Sequence, residues 1–286
     1  MLVLSERKGA LTKHDIWFAP APRSVQALTL SKFYQCGSSS FHPLFIRETF
    51  PTLLIDLRQS EEDINAAISK TPASHIKRAR RDGVIVSPIS DYEEYAGFYN
   101  AITGAIGRPQ LGKRPKGWNT DIRAFGALFE DKWLAMHSYI CDREAKRARL
   151  LHSVSTFRSQ EDTAKRNFLG RANRLLHHRC MMLFREEGFQ TYDFGGYRPE
   201  SPDPEIRGIA RFKEGFGGTR RLEYHYVSIP RWLLTQAQTL LRRGRRSAGP
   251  SAGQRDNSHA AATNPSPAPA APASARLAAY DTTTTK

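Results

Sequence analysis

Cysteine is scarce in this chain of 286 residues: Cys36, Cys141 and Cys180 are the only three. They are far apart, odd in number and never spaced C-x-x-C, so neither a disulfide framework nor a zinc knuckle is expected, and a reducing compartment fits. Long hydrophobic runs are missing too. Nothing approaches the roughly 20 apolar residues of a membrane span, and Met1–Thr12 holds no run of signal-peptide length. The expectation is a soluble, cytoplasmic protein. Several catalytic signatures are absent: no G-x-S-x-G elbow, no Walker loop and no dinucleotide fingerprint. His177 and His178 are adjacent and point to different faces of a helix, and His177 with Cys180 makes only a pair, so no metal site is expected. Acidic side chains are in deficit, 28 against 43 lysines and arginines, which leaves a formal charge of +15. Such an excess favours partners that carry phosphate or carboxylate, among them nucleotides, CoA, tRNA, sugar-phosphate lipids and an anionic membrane surface. A surplus of solvated arginines is the competing reading.

What is present is enough for a sizeable core. Hydrophobic residues make up 40% of the chain and aromatics 10%, which suffices for one large domain or two small ones. Asp15–Phe18 reads as a short strand, and Phe41–Ile46 and Thr52–Leu57 as two more. Ser60 caps a helix whose first turn carries Glu61, Glu62 and Asp63. Pro72 interrupts, and a second helix spans Ser74–Arg81, crowded with Lys77, Arg78, Arg80 and Arg81, before Gly83 and a strand over Val84–Val86. A helix over Asp91–Ile106 places Tyr92, Tyr95, Phe98 and Tyr99 on its apolar side. After the basic, glycine-marked loop 107–117, three strands of about eight residues follow (Ile122–Phe129, Trp133–Cys141, Ala148–Thr156), with connections short enough for an antiparallel meander. A long helix runs from about Asn167 to Glu187 and ends at Gly188. Arg231–Arg243 is a last helix, with basic residues through Arg246. From residue 247 onward the composition turns to Ser, Ala, Pro, Gly and Thr without apolar period, so 247–286 is expected to be disordered.

The most patterned stretch lies between two glycine groups. Thr191–Phe194 reads as a strand, Gly195-Gly196 frees the backbone at its end, and Ile206, Ile209, Ala210 and Lys213 have helical spacing. Gly215, Gly217 and Gly218 close that helix before a strand over Arg221–Ile229. A strand end, a glycine kink, a short helix and a lone lysine are the ingredients of a site for an anionic or acyl group. A glycine-rich structural turn is the alternative.

Tyr192-Asp193-Phe194-Gly195-Gly196, followed by Phe212-Lys213-Glu214-Gly215-Phe216-Gly217-Gly218, resembles the C-terminal signature of FemAB/FemX-type transferases, a branch of the GNAT acyltransferase superfamily. Lys77–Val86 is similar to the basic helix–glycine–strand element of that family. The resemblance covers roughly residues 50–230. It implies an α/β (α+β) fold with a mixed, mostly antiparallel sheet flanked by helices, in which the third meander strand splits from the next strand to admit the acyl donor. It also implies two GNAT-like lobes, with residues 1–90 as a reduced first lobe and 91–246 as the transferase domain. The implied reaction is attack of an amine on an activated carbonyl. The donor is acyl-CoA or aminoacyl-tRNA as co-substrate, with no bound cofactor. The acceptor is an amine-bearing cell-envelope precursor, an amino sugar or a peptidoglycan peptide. Contact with tRNA belongs to the same picture; DNA does not. The basic amphipathic end of the last helix, through Arg242–Arg246, can lie on the inner face of an anionic membrane, with packing and a charged exit as the commoner explanation.

The resemblance assigns Lys213 to charge stabilisation or to a substrate carboxylate, with Phe212 beside it. A preorganised cation in a dry pocket favours a developing oxyanion. Asp193 and His152 are the base candidates, though Asp193 can cap the turn that follows and His152 can be a satisfied core group. Tyr197, Gly195 and Gly196 are placed against substrate, and Arg78 and Arg81 against phosphates. Asn167, Gly170, Arg171 and Ala172 stand where the superfamily carries its pyrophosphate loop, with Asn167 in place of Gln or Arg. A helix N-terminus there would offer unpaired N–H groups and a positive dipole end. The competing whole-chain reading is a nonenzymatic basic module that grips RNA or an anionic surface on a degenerate scaffold.

Overall fold

The computed structural model describes residues 1–105, 107–156 and 162–247. In chain order the elements are β1 (Leu2–Lys8), β2 (Leu11–Trp17), β3 (Leu30–Cys36), β4 (Phe45–Asp56), α1 (Glu61–Ala67), α2 (Lys70–Arg81), β5 (Ile85–Ile89), α3 (Tyr92–Gly104), β6 (Ile122–Phe129), β7 (Lys132–Asp142), β8 (Arg147–Ser155), α4 (Thr163–Glu186), β9 (Thr191–Gly196), α5 (Pro204–Glu214), β10 (Thr219–Ser228) and α6 (Ile229–Ser247). All the strands join one open sheet in the order β1-β2-β3-β10-β4-β9-β8-β7-β6-β5. Only the β2–β3 and β8–β9 pairs are parallel. This is the expected mixed, mostly antiparallel sheet with flanking helices.

Capping side chains start α1, α3 and α5. Ser60 accepts from the amide of Asp63 at α1, Asp91 from Glu93 at α3 and Asp203 from Glu205 at α5, where Pro204 opens the helix. Each side chain satisfies a first-turn N–H that has no partner within the helix. One core fills the face covered by α1, α2, α4 and α5, with Ile64, Ile76, Leu176, Phe184, Tyr192, Phe194 and Phe216 among its buried members. A second core on the opposite face packs Tyr92, Tyr95 and Tyr99 of α3 against Ile122, Met136 and Ile140 and reaches Trp17 and Tyr34.

Three expectations change. The two strands placed at 41–46 and 52–57 are one strand, β4, running through Pro51. A proline lacks only the N–H; its carbonyl still accepts from Tyr197 N at 2.9 Å. Pro72 does not interrupt a helix but sits buried in the first turn of α2, where a missing N–H costs nothing. Within the one sheet, β1–β3 extend one end, β4 lies at the centre between β10 and β9, and β5 is the far edge. Finally, α4 begins at Thr163 with Asp162 as its cap, four residues before the expected start. Strands β1 and β3 were not anticipated. Residues 248–286 and the side chains of Arg242–Arg246 lie outside the described residues. Among the described residues, no helix is long and apolar enough to cross a membrane.

Candidate active site

The site is organised by the place where β8 and β9 part. They pair at Arg147–Thr191, Ala148–Tyr192 and Arg149–Asp193 and no further, although β8 continues to Ser155 and β9 to Gly196. The split expected between the third meander strand and its successor is therefore present. On its other side β9 pairs with β4 through a bulge: Asp193 faces Leu54 and Gly196 faces Thr52, so Phe194 and Gly195 together oppose Leu53. Gly195 supplies the left-handed conformation of this bulge at φ 68°. A Cβ on it would lie 3.4 Å from both the Leu150 carbonyl and Arg149. Gly196 is under no such constraint.

The bulge turns two carbonyls toward α5. Lys213, buried on that helix, donates from Nζ to the carbonyl of Phe194 at 2.8 Å and to that of Gly196 at 2.6 Å. The lysine thus brings positive charge to the edge of the β8/β9 opening. Tyr197 donates to the carboxylate of Glu214. Partial burial, followed by the neighbouring Glu214 carboxylate, pushes the Tyr197 phenol up to about 12. Phe212 packs its ring 5.5 Å from His177 and beneath the guanidinium of Arg174, 4.8 Å away. Lys213, Phe212, Tyr197, Gly195 and Gly196 are therefore gathered at one place.

Behind Lys213, on the α4 face, runs a buried neutral network. Asn173 meets His137 at 2.8 Å, His137 meets the Tyr139 hydroxyl at 3.0 Å, Tyr139 meets the Tyr192 hydroxyl at 3.1 Å, and Tyr192 meets His177 at 2.7 Å. The two imidazoles stack with centroids 4.2 Å apart. Burial holds His137 down to about 3, against the opposing hydrogen bond to the Asn173 Oδ1 acceptor. Burial, then the charges of His137, Lys213 and Arg174, holds His177 well below its ordinary range. Both rings are neutral at physiological pH. The sequence marks His177 only as a weak metal-ligand candidate; the packing of β7, β9 and α4 shows its place.

Asp193 lies on the other face and is fully engaged. One oxygen accepts from Thr52 and from the amide of Gly195 at 2.7 Å; the other accepts from Gln35 at 2.8 Å and from Arg147 at 2.7 Å. Arg147 also grips Glu223 at 2.7 Å. Burial would raise the Asp193 carboxyl, but Arg147 and Arg149 hold it below the usual carboxylate range. An ionised carboxylate with both oxygens occupied is a strand lock rather than a base, so the capping alternative describes Asp193 best. His152 sits on this same face, away from the helices that hold Lys213. Its Nδ1 is 3.0 Å from Ser138, which accepts from Tyr95, and its ring lies 5.1 Å from Tyr99. The three expected catalytic groups therefore do not converge.

The expected pyrophosphate loop is not a loop. Asn167, Gly170, Arg171 and Ala172 lie within α4, where backbone N–H groups bond to the preceding turn. Asn167 is exposed and Ala172 is wholly buried. The packing of α2 on α4 instead brings two separate sequence features together. Asp82 lies 3.1 Å from Arg171 and 3.8 Å from Arg78. Arg174 is half-buried, and among the described residues no carboxylate pairs with it. His75 is held below its ordinary range by burial and then by Arg174, Arg171 and Arg78, which places all three guanidiniums around it. Arg81 is exposed. This α2–α4 groove is strongly cationic, and among the described residues Asp82 is the acid that pairs with its guanidiniums. Among the described residues, no group of three or more His, Cys, Asp or Glu is placed to hold a metal ion.

No family model and no curated protein matches the chain. Solved structures do. FemX is similar at 14% identity with a TM-score of 0.50, over 82% of this chain and 85% of that one. L-PGS from Bacillus licheniformis aligns at 13% identity and a TM-score of 0.49, over 86% of each chain. A GCN5-related N-acetyltransferase from Kribbella flavida aligns at 11% identity and 0.41, over 80% and 88%. At such identity the likeness to FemX speaks to fold alone, and it shows that this chain has a FemX-like fold.

Proposed function

We propose that the protein is an acyltransferase that moves an acyl or aminoacyl group from acyl-CoA or aminoacyl-tRNA to an amine on a cell-envelope precursor. The observation that carries this reading is the parting of β8 and β9 with Lys213 buried at its edge. The nitrogen lone pair of the acceptor forms a C–N bond to the donor carbonyl. The C–S or C–O bond to the donor breaks, and the amine proton leaves to the thiolate or ribose oxygen. Lys213 stabilises the negative charge that develops in this step. His152 is the remaining base candidate, on the face from which the acceptor would arrive. The donor phosphates fit the α2–α4 groove, where no carboxylate among the described residues pairs with Arg174, and Phe212 links that groove to Lys213. The acyl-CoA and aminoacyl-tRNA donors share this phosphate chemistry.

A thermal-shift titration of the full chain tests the reading, because a ligand that binds the folded state alone must raise the Tm. A saturable rise with acetyl-CoA, or with aminoacylated but not deacylated tRNA, supports it and names the donor. Silence with every donor sinks it. The +15 charge favours a second reading, a basic RNA-gripping module. That module would bind charged and uncharged tRNA alike and lose affinity steeply with salt.

A further inference from the structure

A second cluster on the α3 face is not used by the steps above. Three neighbouring strands distort at one level of the sheet. Phe18 and Gln35 adopt left-handed φ of 58° and 57°, conformations that non-glycine residues rarely take. On β3, Tyr34 and Gln35 bulge opposite His225 of β10. Backbone strain and bulges of this kind gather where a site has to be aimed.

The distortion collects aromatic rings and donors. Trp17 stacks on Tyr34 at 4.2 Å, and His225 stands edge-on to Tyr34 at 5.3 Å and beside Phe50 at 4.3 Å. The Arg149 guanidinium lies 5.1 Å from the Trp17 ring and 5.7 Å from that of Phe50. Gln35 N–H donates to His225 Nδ1 at 3.0 Å. Burial, then Lys32 and Arg149, keeps this imidazole neutral. Its one proton therefore sits on Nε2. That N–H and the Trp17 indole N–H are both buried, in side chains 5% and 4% exposed, and neither has a hydrogen-bond partner among the described residues. Buried donors are almost always paired, so two unpaired ones beside a guanidinium ask for an acceptor from outside the chain.

We propose that the Trp17–His225 cluster, with Arg149, receives an oxyanion: the carboxylate or phosphate group of the amine-bearing acceptor. Two neutral N–H donors and a cation framed by rings match the charge and the acceptor-only character of such a group. The nearby carboxylates of Asp193 and Glu223 are bound by Arg147, so they leave the Trp17 and His225 N–H groups unpaired. The cluster shares its face with His152, opposite the α2–α4 groove, so donor and acceptor would approach the β8/β9 opening from opposite sides. That the anion belongs to the acceptor rests on the acyltransferase reading; that an anion binds does not.

The test is a titration of the full chain, 15N-labelled at its four tryptophans, with sodium acetate and with inorganic phosphate at constant ionic strength. The Trp17 indole cross-peak is identified by its loss in Trp17→Phe or by through-space assignment in the wild type. The expected result is a saturable downfield movement of that peak, with the other three unmoved, and binding about tenfold weaker in His225→Leu. Saturation by acetate alone identifies a carboxylate, by phosphate alone a phosphate, and by both a general oxyanion site; each supports the proposal. No saturable movement with either anion, equal movement of all four peaks, or unchanged affinity in a folded His225→Leu overturns it. The wild-type titration decides even where a variant fails to fold. Anion binding with no donor binding would refute the acyltransferase reading alone, and donor binding with a silent Trp17 would refute this proposal alone.

Discussion

The two faces of β9 solve the same burial problem in opposite ways. On the face toward α4, Tyr192 and Phe194 join neutral imidazoles and phenols, and the charge at that place is Lys213. On the other face, Asp193 enters an ionic knot with Arg147 and Glu223. The neutral network needs few partners and leaves its cation at the edge of the opening. The ionic knot uses its charges on one another and so fixes β3, β8, β9 and β10 in place. Full charges close to a candidate site are therefore no guide to chemistry; what matters is which of them are already satisfied.

This contrast is most sharply broken by Arg147→Met. The substitution removes the cation that the two buried carboxylates share, and urea unfolding should show a loss of about 3–5 kcal/mol. A loss below about 1 kcal/mol would mean that the knot is not structural. The neutral face is probed by acid. His137 and His178, pushed down by burial to about 3 and about 4, stay neutral when folded and take up protons on unfolding. Their stabilisation is fully present above pH ~6.5 and is lost as the pH falls toward those folded values, by about 1.4 kcal/mol per pH unit for each. In His137→Gln the fall in stability between pH 6.5 and 4, followed by urea midpoints, should be shallower by about that slope. An unchanged slope would show that the ring already titrates in the folded chain.

On the donor side, Arg174→Gln should weaken donor affinity about tenfold with little change in Tm, as expected for loss of one charge-assisted contact. Asn167→Ala should change that affinity less than about twofold, because the residue is exposed mid-helix. The reverse ranking would restore the pyrophosphate loop expected from the sequence.

Much of the fold was legible because its signals are local. The meander, the capped helices and the grouping of Gly195, Gly196, Phe212 and Lys213 all follow from period, caps and glycines within short windows. The start of α4 was legible too, in Asp162, but the likeness of Asn167–Ala172 to a phosphate loop pulled the expected start four residues late. The knot was not legible, since Gln35, Arg147, Asp193 and Glu223 come from four strands distant in sequence. The same is true of Arg174 and His75, which meet only because α2 packs on α4. Alternating Arg147 and Arg149 at the start of β8 is the one hint of buried charge.

The account stands on Lys213 at the β8/β9 opening. The most direct measurement supplies hydroxylamine as a minimal amine acceptor and follows hydroxamate formation above the protein-free rate, with whichever donor raises the Tm. Lys213→Met is compared with the wild type after circular dichroism has shown both to be folded. A rate lowered about 10²–10³-fold, with donor affinity kept, is the predicted result. A folded Lys213→Met chain that transfers at the wild-type rate would contradict the account.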